Sequence, residues 1–134
     1  MPLPDSVIVD LRPPDDISNL EATADLDFTD STALIELTWD PAVDHVSGLD
    51  VYLVYRKIGN GTYEIIDSTT SPEYIDRDVD QSGRIEFCYK IGSRDNVGNT
   101  RDFTATEWED CARPNLGPVI SVSCFTVING VCLV

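Results

Sequence analysis

The sequence predicts an all-β protein, a seven-stranded antiparallel sandwich of two packed sheets. In several blocks large apolar residues alternate with polar ones, as in Leu37–Pro41 and Tyr52–Arg56, which is the pattern of strands with one buried face. Pro, Gly, Asn and Asp separate the blocks, as they do in tight turns between strands. No stretch carries the period of an amphipathic helix, so no helical layer is expected.

Seven predicted strands follow one another at regular intervals. Their alternate apolar residues are expected to form the core, with Trp39, Tyr52, Val54, Tyr89 and Ile91 as the main candidates. The strands are predicted near residues 17–25, 33–39, 50–57, 62–67, 72–76, 84–93 and 101–109.

The chain has the size of one domain, because 134 residues can bury a core without further support. Pro13-Pro14 cannot lie inside a central strand, since proline donates no ladder hydrogen bond, so we expect the domain to begin there. The expected division is an N-terminal arm at 1–12, a sandwich domain at 13–113 and an apolar C-terminal arm with a hairpin at 114–134.

The composition is strongly acidic, with 24 Asp and Glu against 9 Lys and Arg and a net charge of −15. Nucleic-acid binding is not expected, because neutralising phosphates requires a basic surface. No run of about 18 apolar residues exists, so membrane insertion is not expected either. The first residues lack the pattern of a signal peptide, so an extracellular location requires an earlier cleavage or another route, such as cell lysis.

The four cysteines, Cys88, Cys111, Cys124 and Cys132, lack the close pairs of a zinc site, and the chain has one histidine. Disulfides are the better interpretation, with reduced buried thiols as the alternative. A Cys88–Cys111 bridge would join the sixth strand to the segment after the seventh and contribute about 3.5 kcal/mol. Cys124 and Cys132 flank an Asn-Gly turn signal, and their bridge would contribute about 2.5 kcal/mol.

A further set of landmarks has a specific order along the chain. A double proline precedes the first strand, a tryptophan lies in the second, and an Asp-x-x-Gly-Asn turn follows the sixth. The segments are Pro13-Pro14 with Leu20–Thr23, Leu37–Pro41, Tyr52–Arg56, Tyr74–Asp76, Phe87–Ile91 and Asp95–Asn99. In this order they resemble the fibronectin type III family, in the form common in bacterial and viral proteins.

The resemblance covers about residues 13–113 and implies an immunoglobulin-like sandwich. Family members with a cysteine on the sixth strand often carry another after the seventh, which independently favours the Cys88–Cys111 pair. Phe87 stands where the family usually has its corner tyrosine, so this residue cannot supply that hydroxyl. The resemblance implies little about function, because such sandwiches serve as spacers, adhesive modules and assembly subunits.

One acidic turn imitates part of a calcium loop. Asp78, Asp80 and Ser82 alternate and Gly83 follows, as in the first half of such a loop. The twelfth position would be Tyr89, which has no carboxylate. The ordinary turn into the sixth strand is therefore the favoured interpretation, and no metal or other cofactor is expected.

A short loop contains Asp44, His45 and Ser47, the residue types of a catalytic triad. A triad needs side chains from separate elements, so we expect a surface histidine and no enzyme. Asp44 is expected to lie on a solvated rim, as are Asp40 and Asp50. The glycosylation sequon at 60–62 is explained by turn chemistry alone.

The C-terminal arm is apolar, β-branched and surplus to a sandwich that is complete near residue 113. Because such a segment would aggregate if exposed, we expect it to pack on its own domain, extend a neighbour's sheet or lie between subunits. The residues expected to make these contacts are Val119, Ile120, Val122, Phe125, Val127, Ile128, Val131 and Leu133.

The leading hypothesis is a non-enzymatic, extracellular structural subunit that assembles through its terminal arms. Its partners would be copies of itself or another subunit, in a virion or tail component or in a surface filament. The alternative is an extracellular binding or adhesion module that recognises a protein or a glycan through loops at 41–49, 78–84 and 94–100.

Overall fold

The computed structural model describes residues 9–102, 108–117 and 126–133, and at 126, 127, 132 and 133 it describes the backbone alone. Within these ranges the chain forms β-strands and no helix. The strands are β1 (Ser18–Asp27), β2 (Thr32–Asp40), β3 (Leu49–Ile58), β4 (Glu64–Thr69), β5 (Glu73–Asp76), β6 (Phe87–Asp95), β7 (Thr100–Arg101), β8 (Asp110–Ala112), β9 (Thr126–Ile128) and β10 (Val131–Leu133).

The strands form two antiparallel sheets that pack face to face. Sheet A has the order β1-β2-β5. Sheet B has the order β4-β3-β6, and β6 also pairs with β7 and with β8. The described strands β9 and β10 form a separate two-stranded sheet, in which each is the other's partner.

The core lies between the two sheets because β2, β3 and β6 turn alternate apolar side chains inward. Trp39 meets Tyr52 edge to face, with the ring centroids 5.3 Å apart, a favourable geometry for an aromatic pair. The buried cluster contains Ile17, Leu20, Ile35, Leu37, Trp39, Ala42, Tyr52, Val54, Phe87, Tyr89 and Ile91.

A buried polar network also joins the sheets. Nη1 of Arg56 donates to both carboxylate oxygens of Asp76, at 2.9 and 3.2 Å, and the hydroxyl of Tyr89 donates to Oδ2 at 2.6 Å. The N–H of Asp78 donates to Oδ1 at 3.0 Å. Burial and the bond to Asp76 raise the pKa of Tyr89 above its ordinary value. Tyr89 thus supplies a hydroxyl to sheet A, while Phe87 packs under the Arg56 guanidinium.

The prediction of one continuous seventh strand at 101–109 is wrong for the described residues, because Asp102, Trp108 and Glu109 lie outside any strand, while residues 103–107 lie outside the description. Arg101 of β7 pairs with Ser93, and Asp110 of β8 pairs with Tyr89. Eight residues lie between Arg101 and Asp110, but only three lie between their partners on β6, so β7 and β8 cannot be parts of one regular strand. β7 ends at Arg101, whose backbone passes close to Gly92. A Cβ on Gly92 would lie 2.6 Å from the Arg101 carbonyl oxygen, so this close approach requires glycine.

The disulfide links β8 to β6 on the C-terminal side of this interruption. Cys88 and Cys111 are direct register partners, their Cα atoms are 4.0 Å apart and their sulfur atoms are bonded, which confirms the predicted pair. Cys124 and the side chain of Cys132 lie outside the described residues, so their pairing stays a prediction.

The sandwich has two ends. They are about 33 Å apart, which is the length of the ten-residue strand β3. The upper end comprises residues 9–17, 41–48, 70–72 and 96–99. The lower end comprises residues 28–31, 59–63, 77–86 and 113–117. Nowhere in the described ranges does a helix have the length and apolar character needed to span a membrane.

Candidate functional site

The turn at 96–99 of the upper end is organised by one buried carboxylate. Oδ1 of Asp95 accepts the N–H groups of Val97 and Asn99, at 3.0 and 2.8 Å, and Oδ2 accepts the Asn99 side-chain amide at 2.8 Å. Burial acts to raise the pKa of Asp95, but the bonds from Asn99 and Val97 outweigh it and hold the pKa below its usual value. Gly98 has a φ of 96°, which lets the turn close.

The loop at 41–48 is held in the same way by Asp44. Its Oδ1 accepts the N–H groups of Val46, Ser47 and Gly48, at 3.0, 2.9 and 3.1 Å. The two loops are also bonded to each other. The side-chain amide of Asn96 donates to the Ser47 carbonyl at 2.8 Å and its N–H donates to the Gly48 carbonyl at 3.0 Å, so both loops form one connected surface.

The incoming segment at 9–17 lies across this surface. Ser47 Oγ donates to Oδ2 of Asp10 at 2.6 Å, and the Asn99 side-chain amide donates to the Asp10 carbonyl at 3.0 Å. The Asp15 N–H donates to the Val43 carbonyl at 2.9 Å. Residues 9–12, which the sequence assigned to an N-terminal arm, therefore begin to pack on the domain at Asp10.

Asp10, Asp44 and Asp95 each bring one carboxylate oxygen to a common point, with these atoms within 4.8 Å of one another. Oxygen ligands of this kind suit a hard cation such as Ca²⁺. Each carboxylate also accepts the hydrogen bonds described above, which organise the loops. A second cluster of potential metal ligands contains Glu86, Cys88 and Cys111. Its two sulfur atoms are bonded to each other in the disulfide, so they do not act as thiolate ligands.

The sequence-predicted calcium candidates lie at the lower end. Oδ2 of Asp78 is 3.6 Å from Nη2 of Arg56, and Oδ1 of Asp80 accepts the N–H of Ser82 at 2.9 Å. The bonds from Ser82 lower the pKa of Asp80. The nearby Arg56 cation opposes a second cation at Asp78, so the fold adds no support to the calcium loop, the interpretation that the sequence disfavoured.

The side chains of Asp44, His45 and Ser47 point to different partners. Ser47 bonds to Asp10, while Nε2 of His45 is 3.7 Å from Asp15 in an exposed pair. A nucleophile and base within hydrogen-bond reach are therefore not brought together here. The other acidic residues considered with this loop are also separate: Asp40 accepts from Asn19 and Asp50 pairs with Arg94.

An exposed apolar surface surrounds the bonded loops of the upper end. We call it the upper apolar patch; it comprises Val9, Leu11, Val43, Val46 and Val97, which are 48% to 79% exposed. Sequence reasoning missed this patch. The available signal was a valine at each loop tip, within Val43-Asp44-His45-Val46 and Asn96-Val97-Gly98, where turn chemistry favours polar residues.

The chain remains packed at the lower end as far as Leu116. The Gly83 N–H donates to the Pro114 carbonyl at 2.9 Å, and the Leu116 N–H donates to the Gln81 carbonyl at 3.1 Å. Pro114, assigned to the arm by sequence, is buried against the domain. The expected arm residues Val119, Ile120, Val122 and Phe125 lie outside the described residues.

A two-stranded hairpin, which we call the C-terminal hairpin, follows at Thr126–Leu133. Ile128 pairs with Val131 next to the turn. Asn129 and Gly130 both have positive φ, 53° and 79°, as the tight hairpin turn with an Asn-Gly sequence requires. Ile128 and Val131 are 53% and 59% exposed; the side chains of Val127, Cys132 and Leu133 are outside the description.

The comparisons with solved structures agree with this architecture. An Fn3-like protein from Clostridium thermocellum is 25% identical over 75% of this chain and 92% of that chain, with a TM-score of 0.54. The fourth FNIII domain of a human protein is 16% identical over 87% of this chain and 96% of that chain, with a TM-score of 0.50. No family model matches the sequence. A search of curated proteins also finds no match.

The chain is therefore an immunoglobulin-like β-sandwich, defined by its two antiparallel sheets and common core. Within that class its fold is that of the fibronectin type III domain, with an added disulfide between β6 and β8.

Proposed function

We propose that this protein is a non-enzymatic structural subunit that joins a larger extracellular assembly through its C-terminal hairpin. The partner is another copy of the chain or another subunit, in a virion or tail component or in a surface filament. The observation that carries the proposal is the hairpin itself, since within the described residues its two strands pair only with each other.

An isolated two-stranded hairpin is marginally stable in water, because it buries little apolar surface and leaves both edges unpaired. This hairpin also exposes Ile128 and Val131 on either side of its turn. A partner that covers these side chains or pairs with an edge would stabilise it. The hairpin is thus suited to form one side of a protein–protein interface.

The distribution of charge supports the same role. None of the residues from 114 to 134 is charged, so the net charge of −15 belongs to the preceding residues. Two acidic bodies repel each other, whereas an uncharged segment can be buried without desolvating an ion. The arm is therefore the part of the chain best suited to burial against a second acidic molecule.

The disulfide supports an extracellular location. Bonds such as Cys88–Cys111 persist in oxidising compartments and are rare where cellular thiols are kept reduced. The non-enzymatic role is supported by the separation of Ser47 from His45 and by the Fn3-like neighbours of the fold.

The test is the molar mass of the intact chain in solution under non-reducing conditions, measured by light scattering. The full chain is expected to form oligomers. A chain ending at Gly117 retains the Leu116 contact with Gln81 and is expected to be a monomer with unchanged unfolding free energy. The double variant Ile128→Ser with Val131→Ser, which keeps the full length, should also weaken assembly.

Monomers for all three proteins, with equal unfolding free energies, would refute assembly between copies of this chain through the hairpin. Attention would then move to the alternative, a binding module for a protein or glycan. The bonded loops of the upper end favour that alternative, because a preorganised surface binds with less entropic cost. The loops at 41–48 and 96–99 form this surface, whereas the third loop considered, at 78–84, lies at the opposite end.

A further inference from the structure

The chain leaves the described sandwich towards the C-terminal hairpin at the lower end, whereas the upper apolar patch lies at the opposite end. The chain leaves the lower end after Leu116, which is bonded to Gln81 of the β5–β6 loop. The patch surrounds the β2–β3 and β6–β7 loops at the upper end. A donor and an acceptor on opposite ends of one molecule produce a heterologous contact, which repeats from copy to copy.

We infer that the upper apolar patch of one copy receives the C-terminal hairpin of the next copy, so that the protein assembles head to tail into a linear filament. This inference rests on the proposed assembly role and names the surface that accepts the hairpin. The occupant is a second copy of this chain.

The chemistry of the two surfaces is complementary. The exposed side chains of the patch are aliphatic, as are Ile128 and Val131 of the hairpin. The carboxylates beneath the patch, Asp10, Asp44 and Asp95, already accept hydrogen bonds from the loops. An uncharged hairpin can therefore cover the patch without bringing another charge towards them.

The length of the chain favours a contact between copies over a contact within one copy. The eleven links from Gly117 to Ile128, the first exposed apolar residue of the hairpin, span at most about 40 Å when fully extended. The upper end of the same molecule is about 33 Å away along β3. Folding back would therefore need a linker extended over most of its reach, whereas the upper end of a neighbouring copy placed below can be met by a shorter path.

Two full-length variants separate the two surfaces. The patch variant carries Val43→Ser, Val46→Ser and Val97→Ser, and the hairpin variant carries Ile128→Ser and Val131→Ser. All five positions are exposed, so the sandwich core is unchanged. A matched control, Ile65→Ser with Ile75→Ser, alters positions that are 58% and 46% exposed on strands between the two ends.

The measurement is the mass distribution by sedimentation velocity over a range of concentrations. The wild type and the control are expected to form species that lengthen with concentration. Each variant alone should raise the dissociation constant of the contact about tenfold or more. A one-to-one mixture of the variants should form dimers that do not grow, because it contains one intact patch and one intact hairpin per pair.

Dimers in the mixture would also demonstrate that both variants remain folded, since each must supply an intact surface to the dimer. If the patch variant assembles like the wild type while the hairpin variant does not, the head-to-tail inference is overturned and the proposed assembly role stands. If the wild type is a monomer at every concentration, both the head-to-tail inference and assembly between copies through the hairpin are overturned.

Discussion

The hydroxyl of Tyr89 offers a sharp test of how the two sheets are held together. Tyr89 is fully buried, and its hydroxyl donates to the carboxylate of Asp76, which is 2% exposed. Asp76 also accepts from Arg56 and from the Asp78 N–H. Tyr89→Phe removes one oxygen atom and leaves the ring and the other partners of Asp76 in place.

The expected loss is about 2 kcal/mol. A hydrogen bond to a charged group contributes about 1.5 to 3 kcal/mol net, and the lower part of this range applies because Arg56 still neutralises Asp76. In a domain of this size the melting temperature should fall by roughly 8 °C. The buried carboxylate loses a hydrogen-bond donor that no water can replace without entering the core.

The assay is urea unfolding followed by tryptophan fluorescence, because Trp39 lies in the same core. The matched control is Tyr74→Phe. It removes a hydroxyl that donates to Oδ2 of the exposed Asp67 at 3.1 Å. It should cost less than about 0.5 kcal/mol, as solvent replaces the lost bond. Equal losses for the two variants, with unchanged m-values, would refute the importance of burial in the Asp76 network.

Three other predictions concern the same body. Gly92→Ala should cost about 1 to 3 kcal/mol, because the new Cβ would lie 2.6 Å from the Arg101 carbonyl oxygen; an unchanged urea midpoint would contradict this close approach. Replacing Cys88 and Cys111 together by alanine should cost about 3.5 kcal/mol, with oxidised and reduced wild type as the comparison, and a loss below about 1 kcal/mol would contradict it. Burial raises the pKa of all five tyrosines, that of Tyr74 to about 12. The folded chain therefore holds phenolic protons that the unfolded chain releases near pH 10, so stability should decrease from about pH 10 towards pH 12. Phenolate absorbance appearing at pH 10 in the folded protein would contradict this.

The main strands could be predicted because their burial follows a local pattern. In β2 and β6 the alternate positions that the sequence marks as apolar, among them Leu37, Trp39 and Tyr89, are the ones that face the core. The Cys88–Cys111 pair could be predicted because strand order brings neighbouring strands together. The interruption of the seventh strand could not, since it depends on the register of both its parts with β6.

The candidate site was harder to predict because its parts come from distant segments. Asp44 was grouped by sequence with Asp40 and Asp50, but the fold brings it to Asp10 and Asp95 instead. Sequence alternation gives no information on which loops meet at one end, since that follows from strand topology. The apolar arm stays a prediction, because its residues 118–125 lie outside the described part of the chain.

The distribution of charge also limits how such molecules can associate. The edge strands β4 and β5 carry Glu64, Asp67 and Glu73, all exposed, and charges on an edge discourage pairing with a neighbouring sheet. Side-by-side contact would bring two bodies of like charge together along their full length, well within the Debye length of about 10 Å at 0.1 M salt. End-to-end contact keeps those long faces apart and buries an uncharged hairpin. The acidic body therefore opposes lateral aggregation, and in the proposed filament the uncharged hairpin would provide the one direction of growth.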